Sequence, residues 1–208
     1  VCGVSTFSGK SGVQIPSGPT EFRRLDGGGR GRGVFSGGRN NPVFYSNLSL
    51  VEIATKGNAT DFGNMSRTVN GGSGNISNST RGITSGGYDN VAAANASHID
   101  YHIFSSNGGS HGFGDLTEAS NAHGGYSNGR IGIFAMGYPT YSGQLTFITI
   151  ATTGDATAFG SLTSPPAVAD SGGINSPTRA ILHGLNNADG LIGMCEFVTF
   201  ETLGNSQD

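Results

Sequence analysis

The sequence predicts an all-β repeat protein, and three observations lead to this expectation. Of its 208 residues 37 are Gly, and each Gly inside a helix costs about 0.8–1 kcal/mol relative to Ala. Arginines at positions 32, 81, 130 and 179 follow one another at a constant spacing of 49 residues. A segment that alternates apolar and polar residues follows each arginine, which is the pattern of a half-buried strand. A repeated β unit is therefore favoured over a helical fold.

The charge and composition exclude several partners. The chain has a formal net charge of −3 and a pI near 5.9, so it lacks the basic surface that binds duplex nucleic acid or an anionic membrane. The sequence contains no run of about 18 or more apolar residues that would predict membrane insertion. Its start also lacks the basic and apolar regions of a signal peptide. We expect no nucleic acid, no membrane insertion and no cofactor.

Four copies of the repeat can be aligned along the chain. Each opens with a Gly-rich strand led by one of the arginines, at 32–38, 81–87, 130–137 and 179–184. The alternating strand comes next, at 48–55, 99–105, 145–152 and 195–202. A polar turn follows it, at 57–63, 108–114, 154–160 and 204–208.

A short outer segment, ending in a polar residue and glycines, is predicted to complete the repeat. These endings lie at 69–72, 122–125 and 169–173, and the N-terminal 25–28 matches them. The chain therefore opens with the end of a unit that begins near its C-terminus. The predicted units are about 32–80, 81–129, 130–178, and 179–208 combined with 1–31, all within one domain that covers 1–208.

A closed β-propeller of four blades satisfies this arrangement. Periods of about 40–50 residues with several short strands are typical of propeller blades, and joining both chain ends in one blade removes an exposed sheet edge. The Gly-rich strands are predicted to be innermost, where Gly permits close approach of backbones. The fourth blade would take its outer strands from residues 2–7 and 21–26, which brings Cys2 onto the blade of Cys195. A disulfide between these two cysteines is a hypothesis.

Two sets of motifs carry a resemblance to known families. Apolar strands ending in Gly-Gly, followed by an aromatic-bearing strand and an Arg-containing one, resemble kelch-type repeats, although the chain has no Trp. The segments IATKGNATDFGNM at 53–65 and STRGITSGG at 79–87 are similar to tandem repeats of structural and tail-associated proteins of marine bacteriophages, especially cyanophages. This likeness covers residues 21–208.

The resemblance implies a non-enzymatic structural or adhesion module on the surface of a virion, in a tail fibre, a tail tip or a capsid decoration. The implied partners are a host surface glycan or other virion proteins, and a homo-oligomer within the virion is compatible with that location. A free-standing carbohydrate-binding lectin is the alternative, and a polysaccharide-degrading enzyme is a weaker one. Fold-level analogy alone does not establish function.

The four repeated arginines are the first candidate ligand-binding residues. Arg32, Arg81, Arg130 and Arg179 would form a ring of guanidinium groups around the propeller axis. Such a ring could bind an anion, or the carboxylate or sulfate of a sugar, because guanidinium offers paired planar donors. The alternative is that each arginine donates to loop carbonyls of its own or the next blade. Repetition in every unit favours this alternative.

The polar turns supply the second set of candidates. The turn residues are Asn58, Asp61, His111 and Asp155, together with Asn205 and Asp208. Sugar sites combine such acceptors with an aromatic face, and loops on a rigid scaffold are the usual binding surface. The tyrosines predicted to lie in other loops are Tyr88, Tyr126, Tyr138 and Tyr141. The alternative, favoured for any single residue, is that Asn and Asp cap their own backbone.

Metal binding and catalysis have less support. His98, Asp100 and His102 alternate along one strand and share a face, where they could bind a transition metal; a solvated strand edge is favoured instead. The sequence contains no H-E-x-x-H motif, and no nucleophile elbow is predicted. A glycosidase would need carboxylates such as Glu52 and Glu118 to be paired by folding. We expect no metal site and no catalytic residues.

Overall fold

The computed structural model describes residues 31–40, 43–53, 55, 57–70, 74–121, 123–163, 172–187 and 190–208. All regular secondary structure in these residues is β, so the predicted all-β class is confirmed. None of them forms a helix long and apolar enough to cross a membrane. The elements predicted at 2–7, 21–26 and 25–28 lie outside the described residues.

Seventeen strands occur in the described residues. The first five are β1 (Arg32–Asn40), β2 (Val43–Glu52), β3 (Thr60–Asn64), β4 (Val69–Asn70) and β5 (Gly74–Ser77). The next six are β6 (Arg81–Ser85), β7 (Tyr88–Asp89), β8 (Ala94–Asn95), β9 (His98–Ile103), β10 (His111–Asp115) and β11 (Gly124–Ser127). The last six are β12 (Ile131–Ala135), β13 (Gln144–Thr149), β14 (Thr157–Ser161), β15 (Gly172–Asn175), β16 (Arg179–Asn187) and β17 (Gly190–Thr199).

These strands form four repeated antiparallel sheets and one small sheet. Sheet 1 has the order β1-β2-β3, sheet 2 β5-β6-β9-β10, sheet 3 β11-β12-β13-β14 and sheet 4 β15-β16-β17, while β4-β7-β8 form the small sheet. A bridge between Phe197 and Gln207 places the last residues beside β17, where the other sheets have another strand. All four alternating segments are strands, as predicted.

A side-chain-capped turn precedes each arginine from sheet 2 onwards. Asn78 Oδ1 accepts hydrogen bonds from the backbone N of Thr80 and of Arg81, at 2.8 and 2.7 Å. Asn128 caps the turn before β12 in the same way, and Ser176 caps the one before β16. These turns join the first and second strands of a sheet into a tight hairpin.

The capped turns change the predicted limits of the repeat. The glycines at 124–125 and 172–173, predicted to end an outer segment, instead begin the first strand of the next sheet. The strands led by arginine in sheets 2 to 4 therefore have neighbours on both sides. An innermost propeller strand is an edge strand of its sheet, so the prediction that these strands are innermost is wrong. The second half of each complete polar turn is also a strand: β3, β10 or β14.

The four sheets pack face to face in chain order. Because side chains alternate along a strand, sheets 2 and 3 each present one face to the sheet before and the other to the sheet after. The core between sheets 2 and 3 includes Ile83, Ile99, Phe134 and Ile148. The core between sheets 3 and 4 includes Ile133, Leu145, Leu182 and Val198. Packing between successive sheets thus takes the place of one central core.

Glycines set the distance between neighbouring sheets at the last strand of each. A Cβ on Gly63 would collide with the backbone of Gly109, and one on Gly114 or Gly160 would collide with Gly154 or Gly204 in the next sheet. The main chain forms hydrogen bonds at the same places, as from Gly154 N to Phe113 O at 2.9 Å. Backbone approach of this kind is what Gly permits and other residues prevent.

Cys195 is exposed on β17 and its thiol is free. Cys2 lies outside the described residues, so its disulfide with Cys195 stays a hypothesis. Cys195 occupies the position held by Ile99 and Leu145 in sheets 2 and 3, whose side chains are fully buried against the following sheet. It is exposed because the described residues place no following sheet against sheet 4.

Two neighbouring glycines of β10 test the close approach of the sheets. Gly114→Ala should lower the free energy of unfolding by about 1–3 kcal/mol, because the new methyl group collides with backbone that cannot move aside. Gly112→Ala is the matched control, since a Cβ there meets nothing within 4 Å, and it should leave stability unchanged or slightly raised. Denaturant unfolding of both variants measures the difference. Equal stabilities would contradict this packing.

Candidate functional site

Three of the four repeated arginines reach the following sheet. Arg32 pairs with Glu52 through Nε at 2.8 Å and donates from Nη1 to Phe104 O at 2.6 Å. Arg81 donates to Ile150 O and Ala151 O at 3.1 and 3.0 Å. The acceptors lie at the same place in sheets 2 and 3, where the third strand ends. Arg32 and Arg81 thus donate to carbonyls of the next unit, which is the alternative to anion binding given above. Anion binding by these residues stays a prediction.

The other two arginines have different partners, and Arg130 lies one residue earlier than the rest, because Ile131 holds the strand position of Arg81 and Arg179. Arg130 forms an ion pair with Glu201 of sheet 4, and its hydrogen bond lowers the pKa of this exposed carboxyl. The Arg179 guanidinium lies over the Phe197 ring of its own sheet, at 4.5 Å from the centroid. All four arginines thus lie at one end of the sheets, which we call the arginine end.

The polar turns also lie at the arginine end, and several of their side chains bind the preceding sheet. Asp155 Oδ1 accepts from Asp115 N at 3.0 Å, and Asn205 Oδ1 accepts from Ser161 N at the same distance. Asp61 accepts from Gly63 N at 3.0 Å, which is the local capping alternative. The remaining turn candidates, Asn58, His111 and Asp208, are exposed.

The tyrosines do not join the polar turns. Tyr138 and Tyr141 contact each other with centroids 5.9 Å apart in the connection from β12 to β13, at the opposite end of the strands. Strands of five or six residues separate the two ends by roughly 17–20 Å. Tyr88 is half-buried on β7, and Tyr126 is buried on β11, so its predicted place in a loop is wrong. A composite of tyrosine and turn carboxylates is therefore not formed.

The junction between sheets 1 and 2 differs from the other two in its chemistry. The face of sheet 2 towards sheet 1 carries Thr84 on β6 and His102 on β9. In sheet 3 the same positions hold Phe134 and Ile148, and in sheet 4 they hold Leu182 and Val198. All six side chains are buried. Polar groups have thus replaced apolar ones at one junction.

A cavity of about 270 Å³ lies at this first junction. Its lining includes the side chains of Arg32, Ser36, Asn75, Thr84, His102 and Phe104. Thr84 Oγ1 donates to Asn75 Oδ1 at 3.0 Å, and Ser36 Oγ lies 3.4 Å from the same oxygen. The cavity therefore offers hydroxyl, amide, guanidinium and imidazole groups beside one aromatic ring.

His102 is the least satisfied group of this cavity. It is 5% exposed, and its Nε2 has no hydrogen-bond partner. The ring lies across Gly82, where a Cβ would collide with Nε2, and it contacts the edges of Phe62 and Phe104 at centroid distances of 5.6 and 5.2 Å. Burial lowers the pKa of His102 to about 4. The imidazole is neutral at pH 7 and can make one more hydrogen bond.

A larger cavity, of about 380 Å³, lies beside the last residues of the chain. It is lined by residues of β14, β17 and 202–207, such as Thr202, Asn205 and Gln207, and none of the described lining residues has an ionisable side chain. The first junction is the better candidate, because its smaller cavity contains the charged and unpartnered groups.

The trio of His98, Asp100 and His102 does not lie on a solvated strand edge as expected. The strand that carries it, β9, has neighbours on both sides, and Asp100 and His102 are buried. Asp100 Oδ2 accepts from Ser66 Oγ at 2.6 Å, whereas His98 Nδ1 lies 3.0 Å from Arg67. No group of three or more His, Cys, Asp or Glu that could hold a metal occurs within the described part of the chain.

The two carboxylates considered for glycoside hydrolysis are separated. Glu52 is paired with Arg32 at the arginine end. Glu118 follows β10 at the opposite end, where it accepts hydrogen bonds from Thr140 and Ser142 at 3.1 and 2.7 Å. A glycosidase needs two carboxyl groups within about 5–10 Å. Glu52 and Glu118 do not form such a pair.

The comparisons with known proteins add no identification: no family model and no curated protein matches the chain.

A second buried histidine, which the sequence analysis did not single out, ties sheet 2 to sheet 3. His123 Nε2 accepts from Gly74 N at 3.0 Å and lies 3.0 Å from Ser85 Oγ. Burial lowers its pKa to about 4, partly opposed by its hydrogen bond with Ser85. Because Nε2 accepts from Gly74 N, it must be unprotonated; Ser85 Oγ also donates to Gly74 O at 3.1 Å.

His123 should make the fold sensitive to acid. The unfolded chain binds a proton near pH 6.5, whereas the folded chain binds it near pH 4. Stability is therefore complete above the unfolded pKa and falls as the pH decreases from 6.5 towards 4, by about 3 kcal/mol for this group. His102 acts in the same direction.

Urea unfolding measured across this pH range tests the expectation. The variant His123→Gln should lose less stability between neutral and acid pH than the wild type, whatever its stability at neutral pH. The same pH slope in both proteins would show that His123 is not held neutral by the fold.

Proposed function

We propose that the four sheets close into a four-bladed, kelch-like β-propeller that serves as a non-enzymatic structural and adhesion module on a bacteriophage particle. Its partner would be a host surface glycan or another virion protein. The observation that supports closure is the distribution of exposed apolar side chains between the first and last sheets. The support for the location is the resemblance of the repeats to those of phage structural proteins.

The face of sheet 1 that points away from sheet 2 carries the kind of apolar residues that form the junctions between sheets, but these side chains are exposed. Phe35 is 65% exposed, although Phe134 and Leu182 at the same position of sheets 3 and 4 are 0% exposed. Ile53 is 70% exposed, whereas the equivalent Ile150 is 0% exposed. Val43 and Tyr45 on β2 are exposed as well. The exposed face of sheet 1 is therefore the face with which sheets 3 and 4 pack against the preceding sheet.

Sheet 4 presents the complementary face, which would pack against sheet 1 in a closed ring. Ile174 on β15 is exposed, although Ile76 and Tyr126 at the same position of sheets 2 and 3 are buried. Arg179, unlike Arg32 and Arg81, donates to no carbonyl among its described contacts. In a closed ring its guanidinium would meet the backbone carbonyl of Ile53, at the position of the Ile150 carbonyl that Arg81 binds. Closure would bury both faces and leave no exposed end sheet.

The way the repeated residues are used supports a binding scaffold over an enzyme. Arg32, Arg81 and Arg130 bond to the following sheet, as Asp155 and Asn205 bond to the preceding one. Glu52 and Glu118 form no catalytic pair. A rigid ring of sheets with loops at both ends is suited to presenting a binding surface. The cavity at the first junction favours carbohydrate as one ligand, which a free-standing lectin would also bind.

Closure can be tested at the exposed faces of sheets 1 and 4, which would pack against each other in a closed ring. Arg81→Ala should lower the free energy of unfolding by about 1–2 kcal/mol, since it removes two charge-assisted hydrogen bonds that are partly exposed. In a closed ring Arg179→Ala should cost a similar amount. Labelling of the native, pre-reduced chain with maleimide should also leave Cys195 protected.

Size-exclusion chromatography with light scattering supplies the control for this test. A monomer with protected Cys195 supports the ring. Rapid labelling of Cys195, together with no effect of Arg179→Ala, would show an open array, and protection that grows with protein concentration would show copies stacked end to end. Either result would refute closure.

The adhesion role requires two measurements on different material. The isolated chain should bind glycans on an array, and mass spectrometry should find the chain in purified phage particles. If the chain is found in particles but binds no glycan, its role would be limited to docking other virion proteins. If it binds glycans but is absent from particles, a free-standing lectin would be favoured. Failure of both, or release of reducing ends from a bound polysaccharide, would refute the proposal.

A further inference from the structure

We propose that the cavity between sheets 1 and 2 binds one neutral pyranose unit of a glycan, with His102, Thr84 and Arg32 as its polar contacts. This inference rests on the proposed adhesion function, since it names the ligand class that such a module would hold. It names one small sugar as the ligand and one cavity as its site. The residues of this site are not among the features that recur in each unit of the chain.

The first step of the argument is the departure of one junction from its repeats. Thr84 and His102 occupy positions that hold Phe134 and Ile148, or Leu182 and Val198, elsewhere. Sequences that break a local packing rule commonly do so at functional sites. The two polar residues lie side by side on adjacent strands and line the same cavity. A junction built only for packing has no need of either.

The second step is the unsatisfied bonding capacity of the cavity. Buried nitrogen and oxygen atoms are nearly always hydrogen-bonded in folded proteins, yet His102 Nε2 has no partner among the described residues. Asp100 Oδ1, His123 Nδ1 and Thr146 Oγ1 are also without one, but their residues do not line the cavity. Thr84 and Ser36 add hydroxyls, which both donate and accept. A sugar ring presents hydroxyls that also do both, so it matches a lining of mixed donors and acceptors beside the apolar ring of Phe104.

The third step concerns size and charge. A volume of about 270 Å³ lies near the lower end of the roughly 300–1,000 Å³ of ligand sites, which suits one ring and excludes an oligosaccharide lying inside. Arg32 is the only charged side chain among the described residues of the lining, and Glu52 already pairs with it at 2.8 Å. The cavity therefore has no uncompensated charge with which to prefer a sulfate or a uronate.

Saturation-transfer NMR with single sugars tests the site directly. The probes are glucose, galactose, mannose and N-acetylglucosamine, with glucuronate and inorganic sulfate as anionic comparisons. The wild-type chain should bind at least one neutral sugar and prefer it to both anions. His102→Ile, which restores the residue of sheet 3, should weaken that binding about tenfold or more, as expected for the loss of a hydrogen bond. Its thermal stability should not fall.

Two further variants make the outcome specific. Thr84→Val removes one hydroxyl at constant shape and should weaken binding without affecting the fold, which keeps the test valid if His102→Ile folds poorly. His111→Ala, in an exposed polar turn, should bind as the wild type does. The site is refuted if the wild type binds none of the neutral sugars, if an anion binds better, or if His111→Ala loses binding that His102→Ile and Thr84→Val retain.

These results separate the site from the function on which it rests. Glycan-array binding and particle association without binding of any single sugar would reject the cavity and retain the adhesion module. Single-sugar binding that depends on His102, without particle association, would retain the cavity and reject the virion role.

Discussion

The distance between successive sheets is the constraint on which the rest of the structure depends. At the last strands of the sheets, backbone meets backbone, and the glycines at 63, 114 and 160 leave no room for a side chain. The space between the sheets is therefore fixed before any side chain is placed in it. Cross-strand pairs fill this space with a small residue beside a larger one: Gly82 with His102, Gly132 with Ile148, and Ala180 with Val198. Each pair fits because the larger side chain occupies the space left by the smaller residue beside it.

The same constraint explains why charged and polar residues recur with the repeat. A fixed spacing brings the end of the third strand of one sheet to the same place beside the arginine of the sheet before it. Arg32 and Arg81 thus find carbonyl acceptors at equivalent positions, and Asp155 and Asn205 find equivalent backbone donors. These bonds are partly exposed and each contributes little free energy. Their directionality instead selects the order and register in which the sheets stack.

Much of this architecture could be predicted from the sequence, and the limits of that prediction have physical causes. Alternation along β2, β9, β13 and β17 identified the strands, because a half-buried strand needs that pattern. The first strands β5, β11 and β15 were missed, since four residues containing glycine carry no period. Tyr126 was placed in a loop for the same reason. The metal trio was found on one strand face, but the sequence could not show that a neighbouring sheet covers this face. The cavity itself depends on residues from four strands, β1, β5, β6 and β9, and only superposition of the repeats in space shows that Thr84 and His102 replace apolar residues.

Repetition and departure from it therefore have opposite meanings in this chain. A residue that recurs at each junction is explained by the junction, and its chemistry needs no ligand. A polar pair that occurs at one junction only is not explained in this way, because the apolar residues of the other two junctions would fill the same space. Leaving His102 Nε2 buried without a partner costs about 1–3 kcal/mol, a large fraction of the stability of a small domain. Other buried polar groups, such as His123 and Glu196, are explained by their bonds to protein groups at the second and third junctions. Thr84 and His102 instead line a cavity together with Arg32, Ser36 and Asn75, an arrangement that suits a polar ligand.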